Sequence, residues 1–183
     1  MKKIVFVVGS LRKKSFNGVL AGIAESALKG KADVTYIRPD EVPFLNQDIE
    51  FPPPEAVVKV RNIIQEADAV WIFSPEYNYN IPGAEKNLLD WLSRPLIADD
   101  PERITAVVGK KVTICGVGGK NMTATVRARL VDMLEFMRME LVGGMGNGFA
   151  LPPSAFATGA WEPEQEVVEA IHKQAEELLR ALG

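Results

Sequence analysis

Short apolar runs alternate along the chain with segments whose apolar residues recur every three or four positions. The runs predict strands at Lys3 to Val8, Asp33 to Arg38, Ala69 to Ser74 and Lys111 to Gly116, with a weaker fifth around Leu141 to Val142. Between the first two, Val19, Leu20, Ile23, Ala24, Ala27 and Leu28 form one helical stripe that leaves Glu25 and Lys29 outside, and Gly30 ends it. Further helices are predicted at Pro54 to Glu66, Gly83 to Ser93, Met122 to Met139 and Pro163 to Leu182. In the last, Val168, Ile171, Ala175, Leu178 and Leu182 share a face. The unbroken runs Ile4 to Val8 and Ala69 to Phe73 suit strands covered on both sides, as in a parallel sheet between helix layers. The alternation therefore predicts an α/β fold: a doubly wound five-stranded parallel sheet, order 2-1-3-4-5, with helices on both faces.

Length adds that residues 1–183 form one domain, since no linker, repeat or low-complexity tract divides them. With 47% apolar and 25% charged residues and a mean hydropathy of +0.02, the chain can bury a core. Its 21 basic and 24 acidic residues are interspersed, net −3, which argues against a nucleic-acid partner. Lys2 and Lys3 before Ile4 to Val8 imitate an export signal, but Arg12, Lys13 and Lys14 interrupt it. No apolar stretch approaches the roughly 18 to 20 residues that span a bilayer, so the expected compartment is the cytoplasm and no membrane partner is expected. One cysteine, Cys115, and one histidine, His172, exclude an internal disulfide, a structural zinc site and a Ser-His-Asp apparatus needing a second imidazole. Cys115 falls inside a predicted strand and reads as a buried thiol, whereas His172 reads as a surface residue.

In an open α/β sheet the ligand crevice lies where the strand order reverses, here between strands one and three. After strand one comes Gly9-Ser10-Leu11-Arg12-Lys13-Lys14-Ser15-Phe16-Asn17, leading into a helix. Gly9 permits a sharp turn; Ser10, Ser15 and Asn17 offer donors, Arg12 a planar cationic fork, and the helix start free N–H groups. This composition fits a phosphate cradle; a capped helix with solvated basic residues is the alternative. Only Gly9 of a G-x-G-x-x-G fingerprint is present, and Gly118-Gly119-Lys120-Asn121 matches a nucleoside-triphosphate loop only in its last steps, so a terminal phosphate monoester fits better.

After strand three, Ser74-Pro75-Glu76-Tyr77-Asn78-Tyr79-Asn80-Ile81-Pro82-Gly83 combines stiffening prolines with two tyrosine rings and backbone amides that could meet a heteroaromatic edge. A packed turn with Tyr77 or Tyr79 as core plugs is the alternative. After strand four, Gly116, Gly118 and Gly119 allow close approach to the backbone, or simply a tight turn. Arg94, Lys120 and Lys13 are further cations that could meet a phosphate or stay solvated. A phosphate grip and a ring-holding loop, without an acid–base pair or metal cluster, point to a bound cofactor that carries the chemistry, and flavin mononucleotide (FMN) fits.

At these residues the chain resembles the NADPH-dependent FMN reductase family of flavodoxin-like proteins, which includes quinone, chromate and azo-dye reductases. The matching stretches are Gly9-Ser10-Leu11-Arg12 through Ser15 and Asn17, and Ser74 to Asn78 through Pro82-Gly83, Lys86-Asn87 and Asp90-Trp91. The resemblance implies a flavodoxin-like fold in which Ser10, Arg12, Ser15 and Asn17 bind the FMN phosphate. Pro75, Glu76, Tyr77 and Asn78 would border the ribityl chain and ring, and Gly116, Gly118 and Gly119 the other side. It implies a ping-pong reaction in which NADPH or NADH reduces the flavin and small-molecule acceptors reoxidise it, with no protein residue assigned as catalytic and no metal. A homodimer or homotetramer with the flavin near a subunit interface is implied too, with the third and fourth helices, including Trp91 and the methionines, as candidate contacts. A flavodoxin-type electron carrier or a flavin-binding interaction protein is the competing reading.

Overall fold

The computed structural model describes residues 1–183. Strands β1 (Lys2–Val8), β2 (Ala32–Ile37), β3 (Ala69–Phe73) and β4 (Lys111–Gly118) pair in parallel in the order β2-β1-β3-β4. The alternation of side chains along β1 sorts the core into two layers. Val5 and Val7 join the cluster formed with α2 (Glu55–Glu66), α3 (Gly83–Leu92) and α4 (Ala124–Phe136), whereas Ile4 and Phe6 join that formed with α1 (Phe16–Leu28) and α6 (Gln165–Leu182). All five residues of β3 are buried, as its unbroken apolar run requires. No helix is long and apolar enough to cross a membrane.

The strand order is the expected one, but its fifth place is divided. β5 (Glu140–Leu141) pairs with the start of β4, and β6 (Asn147–Ala150) with its end, both in parallel. Between them Gly143, Gly144 and Gly146 all have positive φ, and a Cβ at Gly146 would stand 1.7 Å from the Ile114 carbonyl oxygen. The chain leaves the sheet and returns through a turn that only glycine permits. A short helix α5 (Pro153–Thr158) was not expected, because its six residues are too few for a readable stripe. In α6 the closely packed face is Val167, Ile171, Gln174, Ala175 and Leu178, so Val168 sits at its half-buried edge.

The long segment after β2 is tied to α3 by side chains at positions i, i+4 and i+7. Asn87 accepts from Leu45 N (2.8 Å) and donates to the Pro43 carbonyl (2.9 Å), which also accepts from Trp91 Nε1 at 2.7 Å. Arg94 grips the buried Glu50 carboxylate through two bonds of 2.8 and 2.9 Å. Trp91 is thus a core residue, 1% exposed, which corrects its assignment to a subunit contact. Arg94 is likewise committed to Glu50 and is not a free cation for a ligand phosphate.

Candidate functional site

Three turns meet at the carboxyl ends of β1, β3 and β4, the place where this topology opens a crevice. The first begins with Gly9, whose N–H donates to the Phe73 carbonyl (3.0 Å) and holds the β1 turn against the end of β3. Ser15 caps α1, its Oγ accepting from Gly18 N at 3.2 Å. The preceding N–H groups, of Phe16 and Asn17, have no partner within the helix and carry its positive dipole end. Arg12 lies with its guanidinium carbon 4.2 Å from the centre of the Phe16 ring and donates to the Lys14 carbonyl (2.5 Å). An open cleft of about 490 Å³ beside this turn is lined by Ser10, Arg12, Lys13, Lys14, Ser15 and, from the far end of the chain, Trp161. No carboxylate lines it. Donors and cations without an acid are the set a phosphate dianion requires.

Asn17 is placed differently from its neighbours. It is 3% exposed and faces inward, its Nδ2 donating to the Val117 carbonyl and its Oδ1 accepting from Val117 N, both at 3.0 Å. Its side chain is spent on β4, and only its main-chain N–H remains for the cradle.

In the second turn, Tyr77 and Asn80 exchange backbone hydrogen bonds of 3.3 and 3.0 Å, and Asn78 and Tyr79 between them have φ of +53° and +57°. This is the mirror-image tight turn, held here with an aromatic residue in the left-handed region. Tyr77 and Tyr79 are 51% and 68% exposed, so neither plugs the core, and the Tyr77 hydroxyl lies 3.4 Å from Ser10 Oγ across the crevice. Pro75 is buried beneath the turn. Glu76 turns toward the third loop, where its carboxylate accepts from Asn121 and, at 3.0 Å, from Val126 N in the first turn of α4. It caps a helix whose own cap position, Thr123, has φ +56° and no capping bond.

The third turn runs from Gly116 to Thr123. Gly116 is buried beneath it: a Cβ there would stand 2.5 Å from both the Ser74 carbonyl oxygen and Thr123 Oγ1. Its missing side chain serves packing between β3 and this loop. A Cβ at Gly118 would meet Thr123 Cγ2 at 2.9 Å, whereas Gly119 is exposed with open space around it. Arg127, 9% exposed, holds the loop from behind by donating to the carbonyls of Met145, Gly146 and Met122 at 3.0, 3.0 and 3.3 Å. Burial lowers its pKa, opposed by the nearby Cys115 and Glu76. Cys115 is fully buried and its thiol is pushed well above the ordinary range by desolvation; His172 is on the surface.

The sequence pattern does not single out Glu85, Arg127 or Trp161. For Glu85 a signal exists: Glu85, Leu88, Leu89 and Leu92 follow i, i+3, i+4, i+7, which puts a carboxyl on the buried stripe of α3. For Trp161 and Arg127 none does, since each reaches the site through chain-distant packing.

Known proteins resemble this chain in sequence and in fold. The model of the family described as NADPH-dependent FMN reductase matches residues 2–150. The chain is 32% identical over 148 residues to a quinone reductase of Escherichia coli (strain K12), covering 78% of each chain. It is 41% identical over 100 residues to an NAD(P)H:quinone oxidoreductase of Solanum tuberosum, covering 51% of this chain and 50% of that one. Among solved structures, the flavoenzyme NAD(P)H:(acceptor) oxidoreductase FerB of Paracoccus denitrificans superposes with a TM-score of 0.85 at 24% identity, covering 100% of this chain and 97% of that one, and so shares the fold.

Proposed function

Because the chain belongs to the NADPH-dependent FMN reductase family and is an NAD(P)H-dependent FMN oxidoreductase, we propose that it passes electrons to small quinones through FMN held at the three turns. The observation that carries the placement is the acid-free cleft of donors at the β1–α1 turn. There Ser10, Arg12 and Ser15 hold the phosphate together with the main-chain N–H groups of Phe16 and Asn17. Pro75 to Asn78 border the ribityl chain and the ring through backbone groups, and Gly118 and Gly119 leave room on the opposite side. Asn17 through its side chain, Gly116 and Glu76 shape the site from behind. Bound FMN supplies a redox centre able to take two electrons from NAD(P)H and hand them to an acceptor.

The protein's part is orientation. The exposed Tyr77 and Tyr79 rings leave an open approach to the crevice, which suits donor and acceptor visiting in turn, and the same openness extends the acceptors to chromate, free flavin and azo compounds. Residues 1–183 act as one flavin-binding domain, and dependence on NAD(P)H fits the cytoplasm. Oligomerisation uses the groove between α3 and α4, lined by Lys86, Asp90, Arg129, Asp132 and Met133 around Phe136, which is 84% exposed. Phe136→Asp yields monomers in sedimentation analysis if this holds.

Initial rates of NADPH and NADH oxidation by the FMN-loaded protein, with and without a soluble quinone, test the activity. Saturable turnover that requires quinone is expected. Tight FMN binding without nicotinamide oxidation would instead make the chain an electron carrier.

A further inference from the structure

Beneath the crevice lies an acid that the proposed chemistry does not use. Glu85, in the first turn of α3, is 0% exposed, and its carboxyl fills the space between the ends of β1 and β3. A Cβ at Gly9 would stand 1.8 Å from its Oε2, and the Pro75 ring borders the same point at 3.1 Å. Ser74, also 0% exposed, places Oγ 2.8 Å from Glu85 Oε2 and 3.0 Å from the Pro75 carbonyl oxygen. Glu85 Oε1 has no hydrogen-bond partner. The groups that meet the carboxyl, Gly9 after β1 and Ser74 and Pro75 after β3, are uncharged and no charged group shifts it, while on α3 the adjacent Lys86 points outward to Asp90 at 2.5 Å.

Counting protons favours the neutral state of this acid. A serine hydroxyl has one proton, so Ser74 can make a full two-centre hydrogen bond to the Pro75 carbonyl or to Glu85, but not to both. Both contacts become full hydrogen bonds when Glu85 carries a proton on Oε2 and donates it to Ser74 Oγ, leaving the serine proton for the Pro75 carbonyl. Burial without a cation acts in the same direction, raising the carboxyl from an ordinary 4.5 to about 8; a Ser74 hydroxyl turned to donate to the ionised carboxylate is the smaller, opposing influence.

We propose that Glu85 is a positioning residue for the flavin site, held as the neutral acid so that the chain Glu85–Ser74–Pro75 locks the start of the ring-bordering turn against the Gly9 turn. The proposal rests on the reading that these two turns hold FMN. Ionisation removes the donated proton, draws the Ser74 proton toward the carboxylate and frees the Pro75 carbonyl. It also leaves a buried charge without a counter-ion under the crevice. The sign follows from linkage. The folded-state value is raised, so the contribution to stability is complete below about 4.5 and is lost as pH rises to about 8. FMN binding, which needs the locked arrangement, weakens as pH rises further.

The test is FMN affinity by flavin fluorescence quenching from about pH 7 to 9.5 for the wild type and Glu85→Gln, whose amide stays neutral and can donate to Ser74 at every pH. Wild-type affinity is expected to fall by up to about tenfold per pH unit in the alkaline range, with a flat profile for Glu85→Gln. Identical profiles overturn the proposal. Absence of FMN binding by both proteins at every pH overturns the FMN reading instead. The acid itself is then checked without flavin: the wild-type midpoint of thermal unfolding must fall relative to Glu85→Gln between about pH 4.5 and 8. Should Glu85→Gln not fold, the infrared spectrum of the wild type decides, since a protonated-carboxyl band must disappear on titration through about pH 8, and its absence refutes the neutral acid.

Discussion

Asn17 and Val117 are joined by a closed pair of hydrogen bonds, amide side chain to main chain, 3.0 Å in each direction. β3 ends at Phe73, opposite Cys115, and Ser74 N still reaches the Cys115 carbonyl at 2.9 Å. Two residues further along β4 the neighbouring strand has run out, and Asn17 takes its place. The start of α1, the proposed anion cradle, is thereby fixed to the strand that carries the glycine turn.

Asn17→Ala leaves the Val117 N–H and carbonyl buried without partners. The cost expected is about 2 kcal/mol of folding stability, read from the midpoint of chemical denaturation. FMN affinity falls with it, because the cradle loses its anchor. Unchanged stability would show that water replaces the amide at no cost.

Arg12 is arranged before any ligand arrives, stacked on Phe16 and tied to the Lys14 carbonyl. If it grips the FMN phosphate, Arg12→Ala weakens binding by about 1.5 to 3 kcal/mol, a rise in Kd of about 10- to 150-fold. Titration followed by flavin fluorescence reads it directly. Equal affinity in the variant removes Arg12 from the site.

Much of this arrangement is legible in the residues. The unbroken runs at Ile4 to Val8 and Ala69 to Phe73 reveal doubly covered strands, and the turn after β1 carries its donors in sequence, so topology and crevice follow from local pattern. What escapes is decided by partners far along the chain. Asn17 looks like a loop donor until Val117, a hundred positions away, claims both of its amide atoms. Trp91 looks like an interface aromatic until the Pro43 carbonyl accepts its indole N–H. The split fifth strand hides in Gly143 to Gly146, whose composition reads as loop because glycine signals backbone freedom and not where the chain goes next.

Glu50 and Arg94 hold the segment after β2 to α3. Arg61 lies behind them, its pKa lowered by burial while the charge of Glu50 acts in the opposite direction. Glu50→Ala removes the one acid that both arginines share and leaves the half-buried Arg94 and the buried Arg61 without a counter-charge. Loss of about 3 kcal/mol is expected in equilibrium unfolding, with Arg94→Ala costing less because Glu50 then keeps the charge of Arg61 nearby. Greater damage from Arg94→Ala would contradict this order.

Gly9 and Glu85 compete for one volume. A methyl at position 9 would overlap Glu85 Oε2 at 1.8 Å, and the acid cannot swing aside because it is enclosed by Ser74 and Pro75. Gly9→Ala therefore destabilises by about 2 kcal/mol or more through overpacking. Glu85→Ala is destabilising in its own right, since it empties the same space. Combined, the two changes meet: the new methyl occupies part of the volume that the carboxyl has left. The double variant should be more stable than the sum of the single effects allows, with a coupling of at least about 1 kcal/mol in a double-mutant cycle of unfolding free energies. Strict additivity would mean that Gly9 is needed for its backbone alone, and that the contact with Glu85 does not constrain the turn.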